Sequence, residues 1–102
     1  MTISIQYVKM PNSDSMTRYA ITRLQKLGEK YDWIIKAQVY FKLGQGKTGE
    51  NKICEIELSV PGPRIFASST EKNYEMAVKE TLSDLEKQLK KRRQTFRPHH
   101  TI

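Results

Sequence analysis

Residues 71–93 read EKNYEMAVKETLSDLEKQLKKRR, and the spacing of the apolar residues in this stretch decides the fold. Tyr74, Ala77, Val78, Leu82, Leu85 and Leu89 fall at i, i+3, i+4, i+8, i+11 and i+15, along one stripe of an α-helix. A stripe this continuous needs a sheet or a second helix to cover it. The other faces carry Lys72, Lys79, Lys87, Lys90 and Lys91, and the stretch runs out into Arg92, Arg93 and Arg97 with no acid after Glu86. One side of this helix builds the fold, and the other presents positive charge.

Upstream of the helix, residues 53–60 alternate Cys54, Ile56, Leu58 and Val60 with Glu55, Glu57 and Ser59, the period of a strand with one apolar face and one acidic face. The turn Pro61, Gly62, Pro63 leads into a second strand over residues 64–68, making a hairpin. Ser68, Ser69 and Thr70 then offer hydroxyls to cap the last helix. A further strand is expected over residues 35–42. At the N-terminus Ile3, Ile5 and Tyr7 alternate with Ser4 and Gln6 as a strand that ends before Pro11, which lacks the amide a ladder requires.

Between these strands lies a first helix. Ser13 is its expected N-cap, Asp14 favours the positive end of the helix dipole, and Met16, Ala20, Leu24, Leu27 and Tyr31 recur at helical spacing. Gly28 is the expected terminator. Arg23, Lys26 and Lys30, at i, i+3 and i+7, form a basic stripe beside the apolar one, with Arg18 apart from it.

The order β-α-β-β-β-α, with two helices of one apolar stripe each, predicts an α+β two-layer sandwich in which both helices pack side by side on one face of a four-stranded sheet. Both basic stripes then share the helical layer, while Glu55 and Glu57 lie on the open sheet face. The chain reads as a single domain over residues 1–93, followed by an aperiodic, basic tail over residues 94–102 that is expected to be mobile.

A chain of 102 residues can bury roughly two thirds of its unfolded surface without metals or disulfides. Eighteen Lys and Arg against eleven Asp and Glu leave a net charge of +7, which favours polyanionic partners such as nucleic acid or an anionic surface. The lone Cys54 sits in the apolar alternation and reads as a small core residue in a reducing compartment. No N-terminal apolar run resembles a signal peptide, and no segment approaches the ~20 apolar residues that span a bilayer, so the expectation is a soluble, cytoplasmic protein. The apolar stripe of the last helix is needed for the sheet, which leaves little for lipid.

Motifs of catalysis are weak. Residues 44–49, GQGKTG, match G-x-G-x-x-G but precede a strand rather than a helix, so the reading is a hairpin loop in which Lys47, with Lys52 beyond it, could touch a phosphate. His99 and His100 lack the further ligands a structural metal needs. Glu55 and Glu57 have no nucleophile, base or oxyanion donors beside them, so neither an enzyme, a cofactor, a metal nor a small-molecule substrate is expected. Trp33, Tyr40 and Phe96 could stack on bases, Phe96 in the basic tail being the best placed.

The element order, with Phe66-Ala67-Ser68-Ser69 leading into a long helix that carries Ala77-Val78-Lys79 and then LSDLEKQLKK at 82–91, resembles the ribosome hibernation promoting factors and ribosome-associated inhibitor A, over essentially residues 1–93. The resemblance implies a double-stranded-RNA-binding-domain-like fold that sits in the decoding region of the small ribosomal subunit and blocks the tRNA and mRNA sites. By position it implies that Arg23, Lys26, Lys87, Lys91 and Arg93 face ribosomal RNA; Lys30 and Lys90 join them from the helical faces. A rigid layer of Lys and Arg can recognise folded RNA by its phosphates and 2′-hydroxyls without reading bases.

The family often has an aromatic at the position of Glu75, whereas here Tyr74 stands one residue earlier. The basic tail differs from the acidic tail of ribosome-associated inhibitor A and favours the short hibernation promoting factors. Without the linker and dimerisation domain of the long form, the chain is not expected to join two ribosomes by itself. Two other readings compete: a general double-stranded RNA-binding module, and a regulator that docks a protein on its acidic sheet face.

Overall fold

A computed structural model describes residues 1–45 and 51–96 and contains the six expected elements in the expected order. They are β1 (Thr2–Tyr7), α1 (Asp14–Lys30), β2 (Lys36–Leu43), β3 (Lys52–Ser59), β4 (Ile65–Glu71) and α2 (Tyr74–Phe96). The sheet order is β1-β2-β3-β4. Because α1 carries the chain back across the sheet, β1 and β2 run parallel, whereas the two short connections that follow make β2–β3 and β3–β4 antiparallel.

The register aligns the apolar residues of all four strands in rows on one face. Ile3, Ala37, Leu58 and Ile65 form one row, and Ile5, Val39, Ile56 and Ala67 form the next. Tyr7, Phe41 and Cys54 begin a third, in which the Tyr7 and Phe41 rings stack at 5.1 Å. Helix α1 covers these rows with Ala20, Leu24 and Leu27, and α2 covers them with Ala77, Val78, Leu85 and Leu89, all buried. A one-residue slip in any strand would turn its apolar set to solvent, so the hydrophobic pattern specifies the register.

Three local features depart from expectation. Helix α2 begins at Tyr74, and its cap is Asn73, whose side-chain oxygen accepts the Met76 amide at 2.8 Å. Ser68, Ser69 and Thr70 instead prolong β4, because β3 runs back to Lys52 and pairs with residues as far as Glu71. Helix α1 continues past Gly28 to Lys30, with Tyr31 as its C-cap, since the fully buried Tyr31 side chain draws the last turn into the core. Finally, α2 runs three residues beyond Arg93 to Phe96, whose ring meets Trp33 edge-on at 4.8 Å. That contact occupies the ring picked out above for base stacking. Residues 97–102, with His99 and His100, lie outside the described residues, as does Lys47; Lys52 donates to the Asn51 side chain at 2.6 Å.

Tyr74 supplies the aromatic bulk at the start of α2. Its ring meets Phe41 edge-on at 5.4 Å and its hydroxyl donates to the Lys42 carbonyl at 2.7 Å, while Glu75 is exposed. Thr81, which interrupts the apolar stripe in sequence, is buried, with its hydroxyl 2.7 Å from the Ala77 carbonyl and 3.2 Å from the Cys54 carbonyl. A buried hydroxyl is tolerated in a core when it is bonded in this way.

The open sheet face is less acidic than the alternation of β3 implied. Lys42 on β2 lies 2.8 Å from Glu55, and Arg64 lies 3.3 Å from Glu57. Pairing with β2 and with the residue just before β4, invisible in β3 alone, compensates both carboxylates.

Candidate nucleic-acid interface

Packing α1 beside α2 brings the flanks of their two apolar stripes together at a groove of about 400 Å³. Arg23, Lys26 and Lys30 line it from α1, and Lys79, Ser83 and Glu86 line it from α2, over Leu27 and Leu82. The geometry follows from helical spacing: Lys79, Ser83, Glu86, Lys90 and Arg93 recur every three or four residues, so they share the side of α2 that faces α1. Lys90 and Arg93 thus continue the groove-side array toward the C-terminal end of the helix.

Lys87 and Lys91 follow another line. Each lies one residue beyond a groove-side position, roughly 100° further round the helix, and both are exposed on the outward face. The expected site residues therefore divide into a groove-side group, Arg23, Lys26, Lys30, Lys90 and Arg93, and an outward pair, Lys87 and Lys91. Arg18, off the i, i+3, i+7 stripe of α1, shares a second shallow depression with Tyr19, Arg23 and Lys26 and so joins the same surface.

Within the groove the charges are not equivalent. Lys30 lies 2.5 Å from Glu86, which holds the ammonium above its ordinary pKa. The same contact, reinforced by a 3.0 Å hydrogen bond donated by the Tyr31 hydroxyl, holds the Glu86 carboxyl below the usual range. Burial, with that bond second, pushes the Tyr31 hydroxyl up. The Arg93 guanidinium lies over the Tyr31 ring at 4.4 Å, and that of Arg23 over Tyr19 at 4.6 Å, so two long side chains are held by aromatic faces. Among the described residues, no carboxylate pairs with Arg18, Arg23, Lys26, Lys79, Lys87, Lys90, Lys91 or Arg93. Among the described residues the helical layer thus carries these eight cations outside any ion pair, around the Lys30–Glu86 pair, with Glu80 and Asp84 on the outward line of Lys87 and Lys91.

This arrangement suits a polyanion. It offers no group of three His, Cys, Asp or Glu placed to hold a metal among the described residues, and no helix there is long and apolar enough to cross a membrane. The family model described as sigma 54 modulation protein / S30EA ribosomal protein matches residues 3–97, nearly the whole chain. The chain belongs to that family.

Solved structures agree at the level of the fold. A ribosomal subunit interface protein from Coxiella burnetii superposes with a TM-score of 0.81 at 20% identity, covering 91% of this chain and 98% of that one. The N-terminal domain of Protein Y from Thermus thermophilus gives 0.74 at 21% identity, with coverages of 89% and 98%. No curated protein matches the chain. Membership of the S30EA family accords with the β-α-β-β-β-α order and with the resemblance drawn from the LSDLEKQLKK stretch.

Two residues of the interface were not singled out by sequence reasoning. Lys79 was one cation among several on α2; only its position seven residues before Glu86, with Glu86 known to reach Lys30, places it in the groove. Arg18 lies off the i, i+3, i+7 stripe but on the adjoining line of α1, where it lines one depression with Arg23 and Lys26. A helical wheel of α1 alone would have reached Arg18, since Ser15, Arg18, Tyr19, Thr22, Arg23 and Lys26 recur at i, i+3, i+4, i+7, i+8 and i+11, but not Lys79, whose place depends on how α2 faces α1.

Proposed function

We propose that this S30EA-family chain binds the small ribosomal subunit through its helical layer, lies in the decoding region against ribosomal RNA, and keeps tRNA and mRNA out, storing ribosomes in an inactive state. The observation that carries this reading is the convergence of Arg23 and Lys26 of α1 with Lys79 of α2 at one groove, where Glu86 holds Lys30 and whose line on α2 continues through Lys90 and Arg93. The family description as a ribosomal protein and the designation of the Coxiella burnetii protein as a ribosomal subunit interface protein support it. Inhibition is steric: a folded domain occupies space that tRNA needs, and no bond is made or broken. The partner is the small subunit and its RNA, which places the protein in the cytoplasm.

Lys87 and Lys91, outward on α2, extend the same contact beyond the groove. A general double-stranded RNA-binding module would use the same cations but would bind any A-form duplex equally well. A regulator acting through an acidic sheet face is disfavoured by the pairing of Glu55 with Lys42 and of Glu57 with Arg64.

Cosedimentation of the purified protein with small subunits, with a plain RNA duplex as competitor, separates these readings. Saturation near one protein per subunit, resistant to duplex, is the expected result, with Lys87→Glu combined with Lys91→Glu abolishing it while the fold persists. Displacement by duplex would replace the ribosomal reading with the generic one, and retained binding by the folded double variant would remove Lys87 and Lys91 from the interface.

A further inference from the structure

The groove between α1 and α2 is lined by four cations, Arg23, Lys26, Lys30 and Lys79, and by a single acid, Glu86. A carboxylate is a costly neighbour for a phosphate if attraction is the groove's whole task. Glu86 is also pinned in place: its Oε2 accepts from the hydroxyl of the fully buried Tyr31 at 3.0 Å and faces Lys30 at 2.5 Å. It cannot swing aside for an incoming phosphate without giving up both contacts.

Packing alone does not explain the charge. A glutamine at this position would still offer an oxygen to the Tyr31 hydroxyl. What only the carboxylate supplies is a negative charge that occupies Lys30 internally and stands beside the remaining groove cations, where any polyanion must meet it at short range.

We propose that Glu86 is a specificity-determining residue of the basic interface: by withholding Lys30 and opposing phosphates in the groove, it weakens binding to polyanions in general more than to an RNA surface that also engages the outer cations. The inference rests on the nucleic-acid reading of the helical layer. It assigns a role against indiscriminate binding to a residue that otherwise reads as one half of a surface ion pair.

Glu86→Gln in the full chain is the test, because it removes the charge and keeps an acceptor for Tyr31. Binding to a B-form DNA duplex is measured across a salt series, beside cosedimentation with small subunits. Freeing Lys30 releases one more counterion, so the duplex slope of log K against log salt should steepen by about 0.9, equivalent to about an eightfold gain at 0.1 M salt. The small-subunit affinity should rise by a smaller factor. The swapped pair, Lys30→Glu with Glu86→Lys, restores an internal ion pair and should return the native slope, and a thermal melt of each variant checks that it is folded.

A duplex slope that is unchanged or shallower in folded Glu86→Gln would overturn the proposal, as would an equal gain on duplex and small subunits. Absence of small-subunit binding by the native protein would remove the ribosomal reading and with it the specificity role, while the duplex slopes would still decide whether Glu86 opposes polyanions in the groove.

Discussion

Neutralising Lys26 and Lys79 together should cut small-subunit affinity by about 25- to 60-fold at 0.1 M salt. The two residues face each other across the groove from α1 and α2, both are exposed, and neither is paired with a carboxylate among the described residues. Each cation that meets a phosphate releases a counterion, so it contributes roughly 0.7–0.9 to the slope of log K against log salt, or a factor of about 5 to 8 at 0.1 M. Two such contacts multiply to the figure given, and the slope should fall by about 1.4 to 1.8. Exposed cations without partners contribute little to stability, so the change in unfolding free energy should stay within about 0.5 kcal/mol. The assay is cosedimentation of Lys26→Gln with Lys79→Gln over a salt series, beside a thermal melt. If the variant melts like the native protein and yet binds within twofold of it with the same salt slope, the groove is not where phosphates sit.

Two further predictions concern the scaffold. Burial pushes the Cys54 thiol up to about 12 from the usual value near 9, so the folded state holds a proton that the unfolded chain gives up; stability is fully present below pH 9 and is lost as pH rises toward 12. Between pH 8 and pH 10 the native protein should lose about 1.4 kcal/mol more than Cys54→Ala in denaturant titrations, and equal losses would show that the thiol ionises freely in the fold. Gly28 lies inside α1, and an added Cβ would meet only the flexible end of the exposed Met1 side chain, at 2.7 Å, so Gly28→Ala should stabilise the protein by about 0.5–1 kcal/mol. A rise in Tm of a few degrees is expected, and a fall would mean that Met1 cannot move away.

The architecture was legible in the sequence because each element announces itself through nearby residues. The alternation around Cys54, Ile56 and Leu58 could only be a half-buried strand, and the spacing of Leu82, Leu85 and Leu89 could only be an amphipathic helix. Boundaries were less legible where two local signals competed. Ser68, Ser69 and Thr70 are good helix caps and also good strand residues; pairing with Glu55, Cys54 and Ile53 settled the competition for the strand. Gly28 is a good helix terminator, but burying Tyr31 outweighed it.

The interface divides along the same line. Sequence alone established that the chain is basic, that it has two amphipathic helices, and that Arg23, Lys26, Lys30, Lys87, Lys90, Lys91 and Arg93 lie off their apolar stripes. Periodicity is a property of one helix at a time, so it could not say how the two helices face each other. The tertiary structure decided that Lys79 joins Arg23 and Lys26 across the groove, that Lys30 is held by Glu86, and that Lys42 and Arg64 compensate the acids of β3. Glu86 and Lys30 are 56 positions apart in the chain, and a contact over that distance exists only once both apolar stripes are buried against the same sheet.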